Sequence, residues 1–151
     1  MMNTIEIKII NSCIKNFSLL PTYATTGSSG LDLRACIKQK IKLKSKKTIL
    51  VPTGIAIHIS NPYITALILP RSGLGHKKGI VLGNLVGLVD SDYQGEIMIS
   101  MWNRSIKDFC IMPGDRIAQI VFVPIIRPNF NIVEDFKESI RANKGFGHSG
   151  V

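Results

Sequence analysis

Apolar and polar residues alternate with a period of two in several short runs: Ile5, Ile7 and Ile9; Leu31 and Leu33; Ile55, Ile57 and Ile59; Ile97, Ile99 and Met101. That spacing lines up side chains on one face of an extended strand, and helical 3.6 spacing is nowhere sustained for long. Between the runs lie Pro52-Thr53-Gly54, Asn61-Pro62, Gln94-Gly95, Pro113-Gly114-Asp115 and Pro128-Asn129, residues that reverse a chain. Many short strands at this spacing predict an all-β fold, barrel-like or sandwich-like. Leu85 to Val89 and Ile97 to Met101, with the tight turn between them, read as a β-hairpin.

Two stretches break the pattern. Gly73 to Lys78 reads as one short helix, with Ser72 placed to cap its first turn and Gly79 to end it. A capped helix start also suits an anion. From Lys137 to Val151 apolar periodicity fades and Gly145, Gly147 and Gly150 accumulate, so residues 137–151 are expected to form a flexible C-terminal arm beside a β-barrel domain over 1–136.

With 151 residues, 45% of them hydrophobic, the chain has material for one well-buried domain and little prospect of a second. The first twenty residues interleave Asn3, Glu6, Lys8, Asn11 and Lys15 with apolar ones, which excludes a signal-peptide core or a membrane span there and predicts a soluble, cytoplasmic protein. Cys13, Cys36 and Cys110 lack zinc or redox spacing and read as reduced core thiols. A net charge of +9 would suit a nucleic-acid binder, yet the basic residues are spread out without aromatic interleaving, so no specific nucleic-acid binding is expected. The densest run, Lys40, Lys42, Lys44 and Lys46 alternating with Ile41, Leu43 and Ser45, fits a strand whose lysine face guards against edge-to-edge pairing.

His58, His76 and His148 are too scattered for a local metal site, and no G-x-x-x-x-G-K-[ST] phosphate loop occurs. What stands out is five polar or glycine-rich stretches in the apolar β pattern, since loops with special backbone demands are where function concentrates. They are Gly30-Leu31-Asp32-Leu33-Arg34-Ala35, Pro70-Arg71-Ser72-Gly73-Leu74-Gly75, Gly87-Leu88-Val89-Asp90-Ser91-Asp92-Tyr93-Gln94-Gly95, Gly114-Asp115-Arg116-Ile117-Ala118-Gln119 and Gly145-Phe146-Gly147-His148-Ser149-Gly150.

By themselves these residues have modest readings. Asp32 should project opposite Leu31 and Leu33, free to pair with Arg34 or Arg116. Arg71 and Ser72, at a helix start, bring guanidinium, hydroxyl and backbone N–H donors together, a good phosphate cradle or a plain turn. Asp90 and Asp92 suit a turn, and Asp115 and Arg116 suit a structural role.

Together, in this order and spacing, the five stretches resemble the motifs of the trimeric dUTPases of bacterial type, from about Pro21 to Gly150. The resemblance implies a distorted jelly-roll of the β-clip kind, assembled as a homotrimer with active sites at subunit interfaces. One chain would supply motifs one, two and four, another motif three, the third motif five. It implies hydrolysis of dUTP to dUMP and pyrophosphate, with Mg2+, by in-line attack of water on the α-phosphorus, keeping uracil out of DNA and supplying dUMP for dTMP synthesis.

The roles it implies are specific. Asp90 is the base that orients the water, and Gln119 lies near that water and the phosphates. Asp32 orders water on a magnesium held mainly by the triphosphate. Arg71, Ser72 and Gly73 bind phosphate; Asn84 with the strand residues Leu88, Val89 and Met98 reads uracil; Tyr93 packs on the deoxyribose. Arg141, Phe146 and Ser149 belong to the closing arm, Phe146 stacking on the base and Arg141 gripping the terminal phosphate. Ala142 and His148 depart from the commoner family pattern, which bears on arm closure more than on the chemistry.

The rival readings are dCTP deaminase, which shares the superfamily but needs an acid–base residue beside the cytosine amine, and a silent nucleotide-sensing or nucleic-acid-binding protein. Phe146 and the Asp90-to-Tyr93 turn weigh against the first; Asp32, Asp90 and Gln119 weigh against the second.

Overall fold

The structure, a computed structural model, describes residues 4–11, 20–139 and 141–144. Ten strands and one helix follow in the order β1 (Glu6–Ile9), β2 (Leu31–Arg34), β3 (Ile41–Leu43), β4 (Thr48–His58), β5 (Ile64–Leu69), α1 (Ser72–Lys78), β6 (Ile80–Leu82), β7 (Gly87–Val89), β8 (Glu96–Asn103), β9 (Phe109–Ile111) and β10 (Arg116–Pro124). They form two four-stranded sheets, β1-β4-β8-β6 and β2-β10-β5-β7, and a ribbon, β3-β9. Every ladder is antiparallel.

The period-two runs do what alternation demands. Ile55, Ile57 and Ile59 of the β4 region and Ile97, Ile99 and Met101 of β8 are buried, as is Leu33 of β2, while Met98 on the opposite face of β8 is exposed. Side chains from both sheets and the ribbon merge into one core, Val51, Ile68, Leu43, Ile111 and Ile120 among them. The pattern is not followed by burial in β1, at the edge of its sheet beside β4, where Ile7 and Ile9 stay exposed.

β4 carries Pro52 and a register shift between Pro52 and Ala56 in its ladder with β8. A proline has no N–H to give a central ladder, and the irregularity accommodates it. Gly54 takes φ 73° there, a conformation that costs a residue with a Cβ. The buried Thr53 hydroxyl donates to the Ile97 carbonyl at 2.6 Å, fastening the bulge to β8.

The buried polar Asn103 ends β8 fully satisfied. Its amide nitrogen donates to the carbonyls of Leu43 and Lys107, and its oxygen accepts the backbone N–H and hydroxyl of Ser105. In the ribbon, Leu43 is buried and Lys42 exposed, with its ammonium 3.0 Å from Asp108 Oδ2.

Three expectations need correction. The helix begins at Ser72, with Arg71 as N-cap and no side-chain cap, so Ser72 is a first-turn residue; Gly79 does end it, at φ 69°. Seven residues including Gly73 and Gly75 make a weak helix, and it is held by Leu74, which packs against the core. The arms of the expected hairpin are not ladder partners: β7 pairs with β5, and β8 with β4 and β6. Cys36 is a core residue but Cys110 is exposed, because alternation in β9 turns it away from Phe109 and Ile111; Cys13 lies outside the described residues.

Regular structure ends with β10 at Pro124; residues 125–139 and 141–144 contain no strand or helix and expose Ile126, Phe130, Ile132 and Phe136. The expected boundary at 136 falls inside this stretch. Among the described residues no helix is long and apolar enough to cross a membrane.

Candidate active site

Two separate groups of polar residues are assembled by the sheet β2-β10-β5-β7. The first is built on the β2–β10 ladder, where Asp32 and Gln119 are direct cross-strand partners and so share a face. Asp32 Oδ1 accepts the Nε–H of Arg71 at 2.8 Å, and Oδ2 accepts an N–H from Arg116 at 3.2 Å. The pairing foreseen with Arg34 does not form, because that guanidinium donates to the Gly114 carbonyl at 2.9 Å. Gln119 donates to the Pro70 carbonyl at 3.1 Å, which ties β10 to the residue just before Arg71.

Asp32 and Arg71 are largely buried, so their contact is less screened than a surface pair. Ser72 and Gly73 follow, exposed, at the helix start, where first-turn N–H groups have no intrahelical acceptor. Arg71, Leu74, Phe109, Asp115, Arg116 and Ile117 line a cavity of about 290 Å³ beside this cluster. Asp115 closes a turn, its carboxylate accepting the Met112 N–H at 2.8 Å, whereas Arg116 belongs to the cluster. Of the two partners expected for Asp32, Arg116 is therefore the one that forms, from a register position opposite β2.

The second group lies where β7 and β8 diverge into different sheets. Asn84, Gly87, Leu88, Val89, Asp90, Tyr93 and Met98 line a cavity of about 230 Å³ there, with Ile68, Glu96 and Ile97. All the residues expected to read a base and sugar therefore meet in one place. The loop that carries Asn84 is strained, with Leu85 at φ 64°.

Asp90 is exposed at the end of β7, and its carbonyl accepts the Tyr93 N–H at 3.2 Å, closing the turn. One residue earlier, the Val89 carbonyl accepts the hydroxyl of the buried Thr65 at 2.8 Å, which fixes the strand where Asp90 leaves it. Nothing in the local sequence marks Thr65, an ordinary β-branched residue in a strand. Tyr93 donates its phenol to the Glu96 carbonyl at 3.0 Å.

The two groups share no lining residue within one chain. Arg141 lies in an exposed turn, where its Nε donates to the Lys144 carbonyl at 3.2 Å, and it lines neither cavity. Phe146, His148 and Ser149 fall outside the described residues. A surface concavity of about 240 Å³ between β1 and β4 is lined by Glu6, Lys8, His58 and Gln94, and holds none of the expected site residues. Among the described residues no three of His, Cys, Asp and Glu gather to hold a metal ion.

Comparison with known proteins identifies the family of the chain. The sequence profile of the family described as dUTPase matches residues 15–150. The chain belongs to the dUTPase family. It is 71% identical over 150 residues to a protein of Buchnera aphidicola subsp. Acyrthosiphon pisum (strain Tuc7), covering 99% of this chain and 97% of that one. It is 59% identical over 150 residues to one of Pectobacterium carotovorum subsp. carotovorum (strain PC1), covering 99% of each. Both are named deoxyuridine 5'-triphosphate nucleotidohydrolase, a hydrolase of the dUTPase family.

Among solved dUTPase structures, a mutant of the Staphylococcus bacteriophage 80alpha enzyme with dUpNHpp superposes with a TM-score of 0.86, at 25% identity, over 99% of this chain and 100% of that one. A mutant dUTPase from phage phi11 of S. aureus, a structure concerned with coordination of a structural Mg(II) ion, gives a TM-score of 0.78 at 22% identity, over 90% and 100%. The distorted all-β fold with its single short helix is thus the dUTPase fold.

Proposed function

We propose that this chain hydrolyses dUTP to dUMP and pyrophosphate, using a homotrimeric assembly in which the two residue groups of different subunits face each other. The observation that carries the reading is that separation. A base-and-sugar cavity with an acid at its rim lies apart from an arginine-rich cavity at a helix start, and a nucleotide needs both.

In the first, main-chain groups of Leu88 and Val89 with the Asn84 amide read the uracil edge. Cytosine reverses donor and acceptor at two of its three positions, and each buried group left unpaired costs about 1–3 kcal/mol. Tyr93 occupies the space that a 2′-hydroxyl would need. Asp90, anchored by the Thr65 bond at Val89, orients water for in-line attack on the α-phosphorus. An ordinary carboxylate is a weak base near neutrality, so positioning and charge neutralisation supply most of the acceleration.

In the second, Arg71, the N–H groups of Ser72 and Gly73, and the Gln119 amide receive the phosphates. Arg141, Phe146 and Ser149 close over the bound nucleotide, Phe146 on the base and Arg141 on the terminal phosphate. A lone half-buried carboxylate already engaged by two guanidinium groups fits an ion bound through water and triphosphate oxygens better than an all-protein cage. Asp32 is therefore the residue that would hold Mg2+ through its water shell, and the ion would neutralise charge on the phosphates. We place the chain in the cytoplasm, keeping uracil out of DNA and supplying dUMP for dTMP synthesis.

The test is product chromatography with dUTP, dCTP, dTTP and UTP, with and without magnesium. Release of dUMP and pyrophosphate from dUTP, dependent on the metal and far exceeding turnover of the others, is expected; equal hydrolysis of UTP or dCTP overturns the reading.

A further inference from the structure

Gly95, in the turn that leads into β8, and Glu96, the first residue of that strand, carry none of the roles assigned so far, yet both touch Tyr93. The phenol end of that ring lies against the bare Cα of Gly95: a Cβ there would sit 2.6 Å from the ring Cζ and 3.0 Å from Cε2. No real side chain tolerates such approach, so any residue but glycine displaces the ring. The same phenol donates to the Glu96 carbonyl at 3.0 Å.

Glu96 is itself tethered at its other end. Its half-buried carboxylate accepts the Gly54 N–H at 2.7 Å, inside the β4 bulge, where Gly54 holds φ 73°. The bulge removes that N–H from the regular β4–β8 ladder, since the register shifts between Pro52 and Ala56. The Gly54 carbonyl in turn accepts the N–H of Ile10 at 2.8 Å, and Thr53 donates to Ile97 beside Glu96. A continuous path of hydrogen bonds therefore runs from the bulge through Glu96 to the Tyr93 phenol.

We infer that Gly95 and Glu96 are positioning residues for sugar selectivity: Gly95 provides the seat for the Tyr93 ring, and Glu96, pinned to the β4 bulge, holds the acceptor that fixes it. The inference rests on the dUTPase reading and on the placement of Tyr93 beside the deoxyribose. Neither residue contacts the reacting atoms, so their loss acts through where the ring lies. A ring free to swing leaves room for a 2′-hydroxyl, and selectivity falls before turnover does.

The experiment measures kcat/KM for dUTP and for UTP, together with thermal unfolding, in the full chain and in Gly95→Ala, Glu96→Ala, Glu96→Gln and Tyr93→Phe. The dUTP/UTP ratio is expected to fall about tenfold in Gly95→Ala and Glu96→Ala, mostly through better use of UTP, and about threefold in Tyr93→Phe, which loses only the phenol donor. Glu96→Gln should keep the ratio, because its amide oxygen still accepts the Gly54 N–H. A merely structural Glu96 would lower the unfolding temperature and leave the ratio alone.

If Glu96→Ala does not fold, Tyr93→Phe and Gly95→Ala decide. An unchanged ratio in both overturns the inference, as does a fall in Glu96→Gln as large as in Glu96→Ala. Failure of the unaltered chain to hydrolyse dUTP overturns the underlying reading instead, a result distinct from either.

Discussion

The Nε–H of Arg71 meets Asp32 Oδ1 at 2.8 Å, so a residue at the start of α1 is held in place by one on β2 before any ligand arrives. The second oxygen of the same carboxylate holds Arg116 at 3.2 Å. Charge-assisted bonds of this kind contribute about 1.5–3 kcal/mol each, enough to fix a side chain that would otherwise sample many rotamers. Asp32→Asn weakens both and removes the charge facing the proposed ion. Its kcat for dUTP should drop about tenfold or more, with a rise in the magnesium concentration giving half-maximal rate. Lost turnover at unchanged magnesium dependence would leave Asp32 with arginine placement alone.

Asp90→Asn should fold normally, because Asp90 is exposed and only its carbonyl is used in the turn. It should still bind a non-hydrolysable dUTP analogue, while turnover falls by a factor of roughly 10² or more. Near-normal turnover removes Asp90 from the base role.

Ending the chain after Glu138 should leave thermal unfolding unchanged and abolish nearly all catalysis. The described residues beyond that point are exposed and make local bonds, Ala142 to Ser139 and Arg141 to Lys144, that nothing in the core relies on. Loss of a stacking partner for the base costs roughly 1–3 kcal/mol in nucleotide binding. Full-rate hydrolysis by the shortened chain would rule out closure by this segment.

Sedimentation of the ligand-free protein should give a trimer. A fully active monomer would contradict the shared-site arrangement, since the two cavities of one chain share no lining residue.

Acid should loosen the β3–β9 ribbon. The Ser45 N–H, first, and then Lys42 hold the Asp108 carboxyl below its ordinary value of 3.8. A depressed folded-state value means the stabilisation is present above the unfolded-state value and is lost as pH falls through the folded one. The Lys42 share, from a raised value, is lost only as pH rises above 10.5. Asp108→Asn should therefore unfold slightly below the parent at neutral pH, and the two should converge below about pH 4.

Much of this was legible in the sequence for a physical reason. Alternation is a property of single strands, so Ile55, Ile57, Ile97 and Ile99 announced their burial one by one. Partnership is a property of pairs of strands and left little local trace. β7 and β8 flank a turn that looks like a hairpin turn, yet each spends its hydrogen bonds elsewhere. The same limit hid Thr65 and Glu96, whose importance comes from what lies across a ladder or a bulge. Asp32, Asp90 and Gln119 could be picked out only as members of a pattern, and Ser72 misled because a serine before a helix usually caps it, whereas here the helix starts one residue sooner.

The divergence of β7 from β8 has a mechanical meaning. β7 is the edge of its sheet, so the main-chain donors and acceptors on its outer side are unclaimed by a ladder, and β8 faces it from the other sheet. A flat base with donors and acceptors along one edge fits that gap as a missing rung fits a ladder. Its arrival would stitch one layer of the molecule to the other, so nucleotide binding should slow amide exchange in β7 and β8 together.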